Sequence, residues 1–349
     1  MLATLRLMNF RCYPALRWEI PPEGAILLGD NAQGKTSLME AMCLALTLHS
    51  PRATRLESLA AHGHSAFGIS LDTDLGTRRL AWEARKLNLH VDGIPCKDYA
   101  DYLAEAPPVV WLSNSDISLV SGAAEERRKY LDFLGSQWHP HYRAALQAYR
   151  KALRARNMLL RNPRRTLAAL QSYAAVMAQH GELLIQLRYQ LLRLLQPHIT
   201  QLHMQISGKE ESVDIAYAPS SADNLMAALD AATEADEKSG FTTVGPHRDD
   251  FHLLIAGAPA ASFASEGQQR TLSTAMLLAQ SGLLREETGS PPILFIDDIF
   301  GELDPGRRRA LLSTLPPDGQ TFITTTHLTW LQDSALPLPV RKIAAGNIQ

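Results

Sequence analysis

A phosphate-binding loop is the clearest chemical signal in the sequence. Residues 29–36 read Gly-Asp-Asn-Ala-Gln-Gly-Lys-Thr, which matches the pattern G-x-x-x-x-G-K-[ST] at every fixed position. Its glycines let the backbone curl so that successive N–H groups hold phosphate oxygens, with a lysine for the β- and γ-phosphates and a hydroxyl for Mg²⁺. We therefore predict that ATP and Mg²⁺ bind here. The predicted nucleotide-binding residues are Gly29, Asp30, Asn31, Ala32, Gln33, Gly34, Lys35, Thr36 and Ser37.

Two adjacent carboxylates follow an apolar run late in the chain. The run covers residues 293–296 and ends in Asp297 and Asp298. In a phosphate-loop fold such a strand lies close to the loop, so Asp297 is predicted to hold Mg²⁺ together with Thr36. Asp298 is predicted to orient or deprotonate the attacking water. A plain turn after a strand is the alternative for an isolated Asp-Asp pair.

The secondary-structure pattern supplies the elements that these residues need. Apolar or β-branched runs predict strands over residues 2–8, 25–28, 109–112, 293–296 and 321–326, with further β-structure over 66–93 and a helix over 36–48. Long amphipathic helices are predicted between residues 116 and 207. The chain therefore reads as an α/β domain (1–115 and 241–349) split by a helical insertion (116–240).

Apolar side chains recur every three or four residues along the predicted helices. One stripe precedes the break at Asn162-Pro163 and a second follows it, which indicates an antiparallel helical hairpin. A protruding arm and the core of a plain helical subdomain both fit this pattern. The first stripe is Leu146, Tyr149, Leu153 and Leu160; the second is Leu167, Leu170, Ala174, Met177, Leu184, Leu187, Leu191 and Leu194.

Composition limits the compartment and the class of protein. The 349 residues are 46% hydrophobic and 20% charged, which is typical of a folded domain. The three cysteines are far apart and form no Cys-x-x-Cys pair, which argues against a disulfide scaffold or a cysteine zinc site. No stretch approaches the roughly 20 apolar residues of a membrane helix. We expect a cytoplasmic protein without a membrane partner.

One basic block stands out in a nearly neutral chain. Eight Lys or Arg residues and no acidic residue lie between His141 and Thr166, although the formal net charge is −2. Such a block suits contacts to DNA phosphates that give affinity without reading sequence; a solvated helix face is the alternative. Arg52 with Arg55 forms a smaller cluster that could equally face nucleotide. The residues predicted to contact DNA are Arg143, Arg150, Lys151, Arg154 and Arg156.

Further motifs complete a recognisable order. Ser-Glu-Gly-Gln-Gln-Arg at 265–270 opens a helical stretch, Gly-Glu-Leu-Asp at 301–304 follows the carboxylates, and Thr326-His327 ends the last strand. This order resembles the heads of ABC-type ATPases: phosphate loop, insertion, signature, carboxylate strand, D-loop and switch histidine. Within that group the chain is similar, essentially end to end, to the RecF family of bacterial recombination mediators, which are relatives of the SMC proteins. The more specific marks are Gly-Ala-Ala-Glu-Glu-Arg-Arg-Lys-Tyr-Leu-Asp at 122–132 and Thr-Val-Gly-Pro-His-Arg-Asp-Asp at 243–250.

The resemblance implies an α/β, ABC-type P-loop ATPase head (lobe I) with an inserted α-helical lobe II and a short helical arm. Two such heads would dimerise around ATP, with the signature of one subunit completing the site of the other. Ser265, Gly267 and Gln268 would then bind nucleotide, and His327 would contact the γ-phosphate. A histidine that merely caps a strand end is the alternative for His327.

The resemblance also implies an activity and partners. It implies a weak, DNA-stimulated ATPase that dimerises with ATP on double-stranded DNA at single-strand gaps. Such a protein would promote RecA loading with RecR and RecO, in replication, repair and the SOS response.

Some positions depart from the family pattern. Glu266 brings negative charge into the signature, Gly301 replaces a usual Ser or Ala, and Ser115 stands where Pro is common. The segment 113–115 lies where ABC heads carry their Q-loop but has no glutamine. These departures bear on hydrolysis rate and dimer strength.

Two other classes remain open at this point. An ATPase subunit of another ABC-type assembly, such as a membrane transporter, shares the loop, but the absent Q-loop glutamine and the basic insertion count against it. A phosphate-loop kinase for a small molecule would leave the signature and switch histidine without a role.

Overall fold

The computed structural model describes residues 1–221, 224–301, 303–316, 318–331 and 337–349. The strands are β1 (Leu2–Phe10), β2 (Tyr13–Glu19), β3 (Gly24–Leu28), β4 (Phe67–Thr73), β5 (Gly76–Glu83), β6 (Lys86–Val91), β7 (Ile94–Pro95), β8 (Val109–Ser113), β9 (Val213–Ala218), β10 (Asp250–Ile255), β11 (Ala258–Pro259), β12 (Ile293–Asp297), β13 (Thr321–Thr325), β14 (Val340–Ala344) and β15 (Asn347–Ile348). The helices are α1 (Lys35–Thr47), α2 (Tyr99–Leu103), α3 (Ser118–Ser121), α4 (Ala124–Trp138), α5 (Pro140–Leu160), α6 (Leu167–Ser207), α7 (Leu225–Ala231), α8 (Thr233–Ser239), α9 (Ala260–Phe263), α10 (Glu266–Thr288) and α11 (Pro305–Thr314).

The chain divides into two compact units. The split unit comprises Met1–Ser115 and Leu284–Gln349, and the inserted unit comprises Asp116–Leu283. The sequence interpretation ended the insertion at residue 240, whereas residues 241–283 group with the inserted unit. The reason is that β10 pairs antiparallel with β9 along its whole length, from Asp250 opposite Ala218 to Ile255 opposite Val213.

The first sheet of the split unit brings together strands from distant parts of the chain. Its order is β15-β14-β3-β13-β12-β8, and every neighbouring pair is parallel except β14 and β15. Its central strands are buried along nearly their whole length, as expected for a parallel sheet covered on both faces. Because β3, β13 and β12 run in the same direction, their carboxyl ends meet at one edge of the sheet.

The second sheet of the split unit is antiparallel, with the order β2-β1-β4-β5-β6-β7. Helix α1 packs against strands of both sheets, and its residues from Leu38 to Leu46 are almost fully buried. Most of these residues are apolar, as expected for a helix that is enclosed on all sides. The sheets also meet directly, because Trp18 packs edge-on against Phe322 and the Gln320 amide donates to the carbonyl of Leu2.

A helical hairpin forms the core of the inserted unit. Helices α5 and α6 pack together through the two predicted stripes, and Leu225 and Leu229 of α7 join the same cluster. The ends of the second stripe differ from the prediction, since Leu167 is 59% and Leu194 is 39% exposed. Within the described ranges, no helix is both long and apolar enough to span a membrane.

The two segments that carry the more specific resemblance meet inside the inserted unit. Arg127 forms a bidentate ion pair with Asp250, at 2.6 and 2.9 Å. The buried Arg188 guanidinium lies 2.9 Å from Asp132 and 3.4 Å from Asp249. Asp249 also accepts hydrogen bonds from the Tyr217 hydroxyl and from the Ser220 N–H. These segments are therefore joined by a largely buried network of ion pairs and hydrogen bonds.

His247 lies in the same segment and is held as a neutral ring. Its Nδ1 lies 2.7 Å from the Tyr149 hydroxyl and its Nε2 lies 3.0 Å from the carbonyl oxygen of Thr242. Burial lowers the pKa of His247 to about 4. The carbonyl can only accept, so Nε2 carries the proton and Nδ1 accepts from the tyrosine.

One predicted DNA contact is corrected by the structure. Arg156 is 1% exposed, and its Nη1 lies 2.6 Å from Asp236 and 2.8 Å from the Thr242 hydroxyl. The prediction for Arg156 is wrong, because an enclosed and paired guanidinium cannot reach a DNA phosphate. Its spacing gives the reason: on α5 it follows Tyr149 and Ala152 on the buried face of the helix.

We expect Arg156→Met to lower the free energy of unfolding by about 3–5 kcal/mol, because it leaves the Asp236 carboxylate buried without its partner. Urea denaturation followed by circular dichroism would measure the change. Arg154→Met is the matched control on the exposed face of the same helix and should unfold like the unmodified chain. Equal stability of the two variants would contradict a structural role for Arg156.

Candidate nucleotide-binding site

The phosphate loop joins β3 to the amino terminus of α1, as predicted. Gly34 has φ 106°, and a Cβ there would lie 2.5 Å from the Tyr13 hydroxyl and 2.7 Å from Cys12 Sγ. Glycine is therefore required at this position both by the backbone and by close packing against the turn between β1 and β2. Ala32 also adopts a positive φ, of 63°. The Gln33 side chain accepts a 2.6 Å hydrogen bond from the Ala345 N–H.

Lys35 folds back over the loop. Its Nζ donates to the carbonyl oxygens of Gly29 and Asp30, at 2.6 and 2.8 Å. Burial lowers the pKa of the Lys35 ammonium, while the carboxylates of Asp298 and Asp297 oppose that shift. The ammonium is thus presented at the loop with hydrogen-bond partners that a phosphate oxygen can replace.

The Asp297 carboxylate joins three elements at the carboxyl edge of the parallel sheet. Its Oδ1 accepts from the Thr36 hydroxyl at 2.7 Å and from the Thr324 hydroxyl at 2.6 Å. A carboxylate beside a hydroxyl is a donor set that suits a hard cation, so Thr36 and Asp297 fit the predicted Mg²⁺. Among the described residues, no group of three or more His, Cys, Asp or Glu side chains could hold a metal ion.

Asp298 follows directly in a strained backbone conformation. Its φ is 54°, and its carbonyl oxygen accepts a 2.8 Å hydrogen bond from Asn114 Nδ2. Asn114 belongs to the segment where ABC heads carry a Q-loop. An amide side chain therefore contacts the residue that follows the carboxylate strand, although it is not a glutamine.

The predicted switch and D-loop segments also lie in the split unit. His327 is exposed, its Nδ1 lies 2.8 Å from the Thr329 hydroxyl, and it is not among the residues that line the loop's cavity. The rings of Phe300, before the D-loop segment, and Trp330, after His327, are stacked with their centroids 4.4 Å apart. Asp304 caps α11 by accepting from the Arg307 N–H, and this hydrogen bond lowers the pKa of Asp304. Glu302 lies outside the described residues.

A cavity of about 480 Å³ opens at the phosphate loop. It brings most of the predicted loop residues together with Asp297 and Asp298. Sequence reasoning missed Thr324, Arg11 and Cys12, and left Arg52 open between DNA and nucleotide. The lining residues are Arg11, Cys12, Asn31, Ala32, Gln33, Gly34, Lys35, Thr36, Ser37, Arg52, Ser58, Ala60, Asp297, Asp298 and Thr324.

The predicted signature lies in the inserted unit, at the amino terminus of α10. The Ser265 N–H donates to Gln268 Oε1 at 3.0 Å, and the Gln268 N–H donates to the Ser265 hydroxyl at 3.3 Å. This reciprocal pair is a capping box. The oxygen of the exposed Ser265 hydroxyl is engaged by the cap, which leaves its hydrogen able to donate to an anion.

The remaining predicted DNA contacts lie on α5. Lys151 and Arg154 are exposed, and Arg150 is exposed but pairs with Asp132 at 2.8 Å. Arg143 is half-buried, and burial lowers the pKa of its guanidinium. Fewer basic side chains of α5 are therefore accessible to DNA than the sequence predicted.

Comparison with known proteins gives consistent matches. A curated relative from Rippkaea orientalis (strain PCC 8801 / RF-1), named DNA replication and repair protein RecF, is 34% identical and aligns over 99% of both chains. The protein of the same name from Synechococcus sp. (strain JA-3-3Ab) is 36% identical over 96% of this chain and 95% of that one. The chain belongs to the RecF family. A family model described as an AAA domain also matches residues 4–81.

Solved structures agree with this family. The recombination mediator protein RecF with ATP, described in the RecFOR pathway, superposes with a TM-score of 0.88 at 28% identity, covering 100% of this chain and 96% of that one. An SMC head bound to the C-winged helix domain of ScpA has a TM-score of 0.56 at 12% identity, with 100% and 96% coverage. The predicted fold, an ABC-type ATPase head with a helical insertion, is confirmed. The transporter subunit, left open by the sequence, is not favoured by these full-length RecF matches.

Thr324 gives a test of the Asp297 arrangement. We expect Thr324→Val to lower ATP turnover by about 10- to 100-fold, because loss of a partner that orients a metal-binding carboxylate has effects of that size. Affinity for a fluorescent ATP analogue should change much less. The matched control is Thr321→Val at the opposite end of β13, which should turn over ATP normally. Equal turnover in both variants would show that the Thr324 hydroxyl does not support Asp297.

Proposed function

We propose that this chain is an ATP-dependent, DNA-binding recombination mediator that acts in replication and repair in the cytoplasm. The observation that carries the proposal is the complete phosphate-loop site, with Thr36 and Asp297 2.7 Å apart, in a chain matched end to end by RecF proteins. ATP binds at residues 29–37, and Thr36 with Asp297 holds Mg²⁺. Asp298 activates water for slow hydrolysis that DNA stimulates.

ATP acts as a dimerisation switch in this proposal. The nucleotide held by one subunit is also bound by the signature of the other, through Ser265, Gly267 and Gln268. His327 contacts the γ-phosphate of the ATP. The capping box supports this role, because an exposed hydroxyl and backbone N–H groups at a helix amino terminus suit a phosphate oxygen. A nucleotide can shift the monomer–dimer equilibrium only through its higher affinity for one state, so ATP but not ADP favours the dimer.

The dimer binds double-stranded DNA beside single-strand gaps and promotes RecA loading with RecR and RecO. The solved structure of RecF with ATP is described as part of the RecFOR pathway. This description supports RecR and RecO as partners of the present chain. Residues of α5 with exposed positive charge, chiefly Lys151 and Arg154, give the phosphate contacts.

Sedimentation velocity with and without ATP and gapped DNA tests the switch. The unmodified chain should dimerise with ATP and remain monomeric with ADP. Lys35→Met should abolish ATP binding and therefore the dimer, because it removes the cation at the β- and γ-phosphates. Ser265→Arg should bind ATP with normal affinity and remain monomeric. An ATP-dependent dimer of Ser265→Arg would contradict a signature that acts in trans.

DNA binding has its own test in the double variant Lys151→Glu, Arg154→Glu. We expect weaker binding to every sequence, and the slope of log K against log salt should fall by about 1 for each phosphate that the variant no longer neutralises. The control reverses two exposed charges on the β5–β6 turn, Arg85→Glu and Lys86→Glu, and should leave the slope unchanged. An unaltered slope in the α5 variant would make this helix face merely solvated.

A further inference from the structure

A buried glutamate lies behind two arginines of the nucleotide cavity. Glu40 is on α1 shortly after the phosphate loop and is 0% exposed. It pairs with Arg11 through both oxygens, with Nε to Oε2 at 2.9 Å and Nη2 to Oε1 at 2.8 Å. Arg52 Nη1 lies 4.0 Å from Oε2. Arg11 and Arg52 line the cavity with Lys35, whereas Glu40 does not.

Glu40 also organises the chain that carries Arg52. The Ser50 hydroxyl donates to Glu40 Oε1 at 2.6 Å, and its oxygen accepts from the N–H groups of Arg52 and Ala53 at 3.2 and 2.8 Å. One carboxylate thus fixes the loop backbone and, at the same time, the side chain of Arg11. Neither contact requires the nucleotide.

The charges of Glu40, Arg11 and Arg52 favour an anion in the adjacent cavity. A carboxylate removed from water needs a cationic partner, and Arg11 alone supplies a bidentate one. Arg52 is then a second cation beside an already paired carboxylate, and its side chain is 50% exposed. Arg11, Arg52 and Glu40 together therefore carry one more positive than negative charge. An excess of positive charge suits the phosphate oxygens of a nucleotide held by the neighbouring loop.

We propose that Glu40 is a positioning residue for nucleotide binding, which holds the guanidinium groups of Arg11 and Arg52 where they contact the phosphates. This inference rests on the proposed binding of ATP. Glu40 itself does not touch the nucleotide, because its carboxylate is enclosed by its three partners.

The test compares Glu40→Gln, Arg52→Gln and the double variant by titration with a fluorescent ATP analogue in Mg²⁺. Each single variant should weaken binding about tenfold, the size expected for a charge-assisted hydrogen bond. The double variant should bind at most about threefold more weakly than Glu40→Gln, because residues that act through one another are not additive. The matched control is Arg55→Gln, which removes an exposed arginine of the same segment outside the cavity wall and should bind normally.

The proposal would be overturned if the double variant lost nucleotide affinity by the product of the two single losses. It would also be overturned if Glu40→Gln bound nucleotide with normal affinity. If Glu40→Gln does not fold, Arg52→Gln still decides, since normal nucleotide affinity of that variant removes the contact that Glu40 is inferred to position. Lys35→Met distinguishes failure of the proposed ATP site from failure of the proposed role of Glu40. If it binds nucleotide normally, the ATP site itself is wrong; if it alone loses binding, only the role of Glu40 is wrong.

Discussion

The shared acceptor at Asp297 is the interaction on which the split unit depends. A single oxygen receives hydrogen bonds from Thr36, at the start of α1, and from Thr324, near the end of β13. The phosphate loop, the carboxylate strand and the strand between them are thereby held at one point. Because all three strands are parallel and their carboxyl ends coincide, no other edge of the sheet could assemble these groups.

A second buried centre stabilises the inserted unit. Arg188 of α6 pairs with Asp132 of α4 and with Asp249, the residue before β10, so one guanidinium joins segments from three parts of the chain. Removing Arg188 would leave two carboxylates without the buried cation that they share, which is far costlier than the loss of a surface ion pair. The segments that mark the family most specifically therefore have a structural role, because their charged residues pair with one another in the interior.

Local signals in the sequence predicted the phosphate loop, the carboxylate strand and the helical hairpin, because each depends on spacing within one segment. Thr324, Arg11 and Glu40 could not be found that way, since their roles depend on strand order and on contacts across the fold. Arg156 could have been assigned correctly: it shares the helical period of Tyr149 and Leu160, but the surrounding run of basic residues outweighed that pattern. The pairing of β9 with β10 joins strands on either side of the boundary predicted at residue 240, and pairing between strands so far apart leaves no local signal in the sequence.

The position of β3 in its sheet bears on how the protein is made. Both neighbours of β3 are late strands, β13 and β14, so the strand that leads into the phosphate loop has no parallel partner while the first 320 residues emerge from the ribosome. Domains generally fold as units as they are synthesised, and the inserted unit can complete its network earlier. The cavity at the phosphate loop would then be completed only when the late residues Asp297, Asp298 and Thr324 have been added to it.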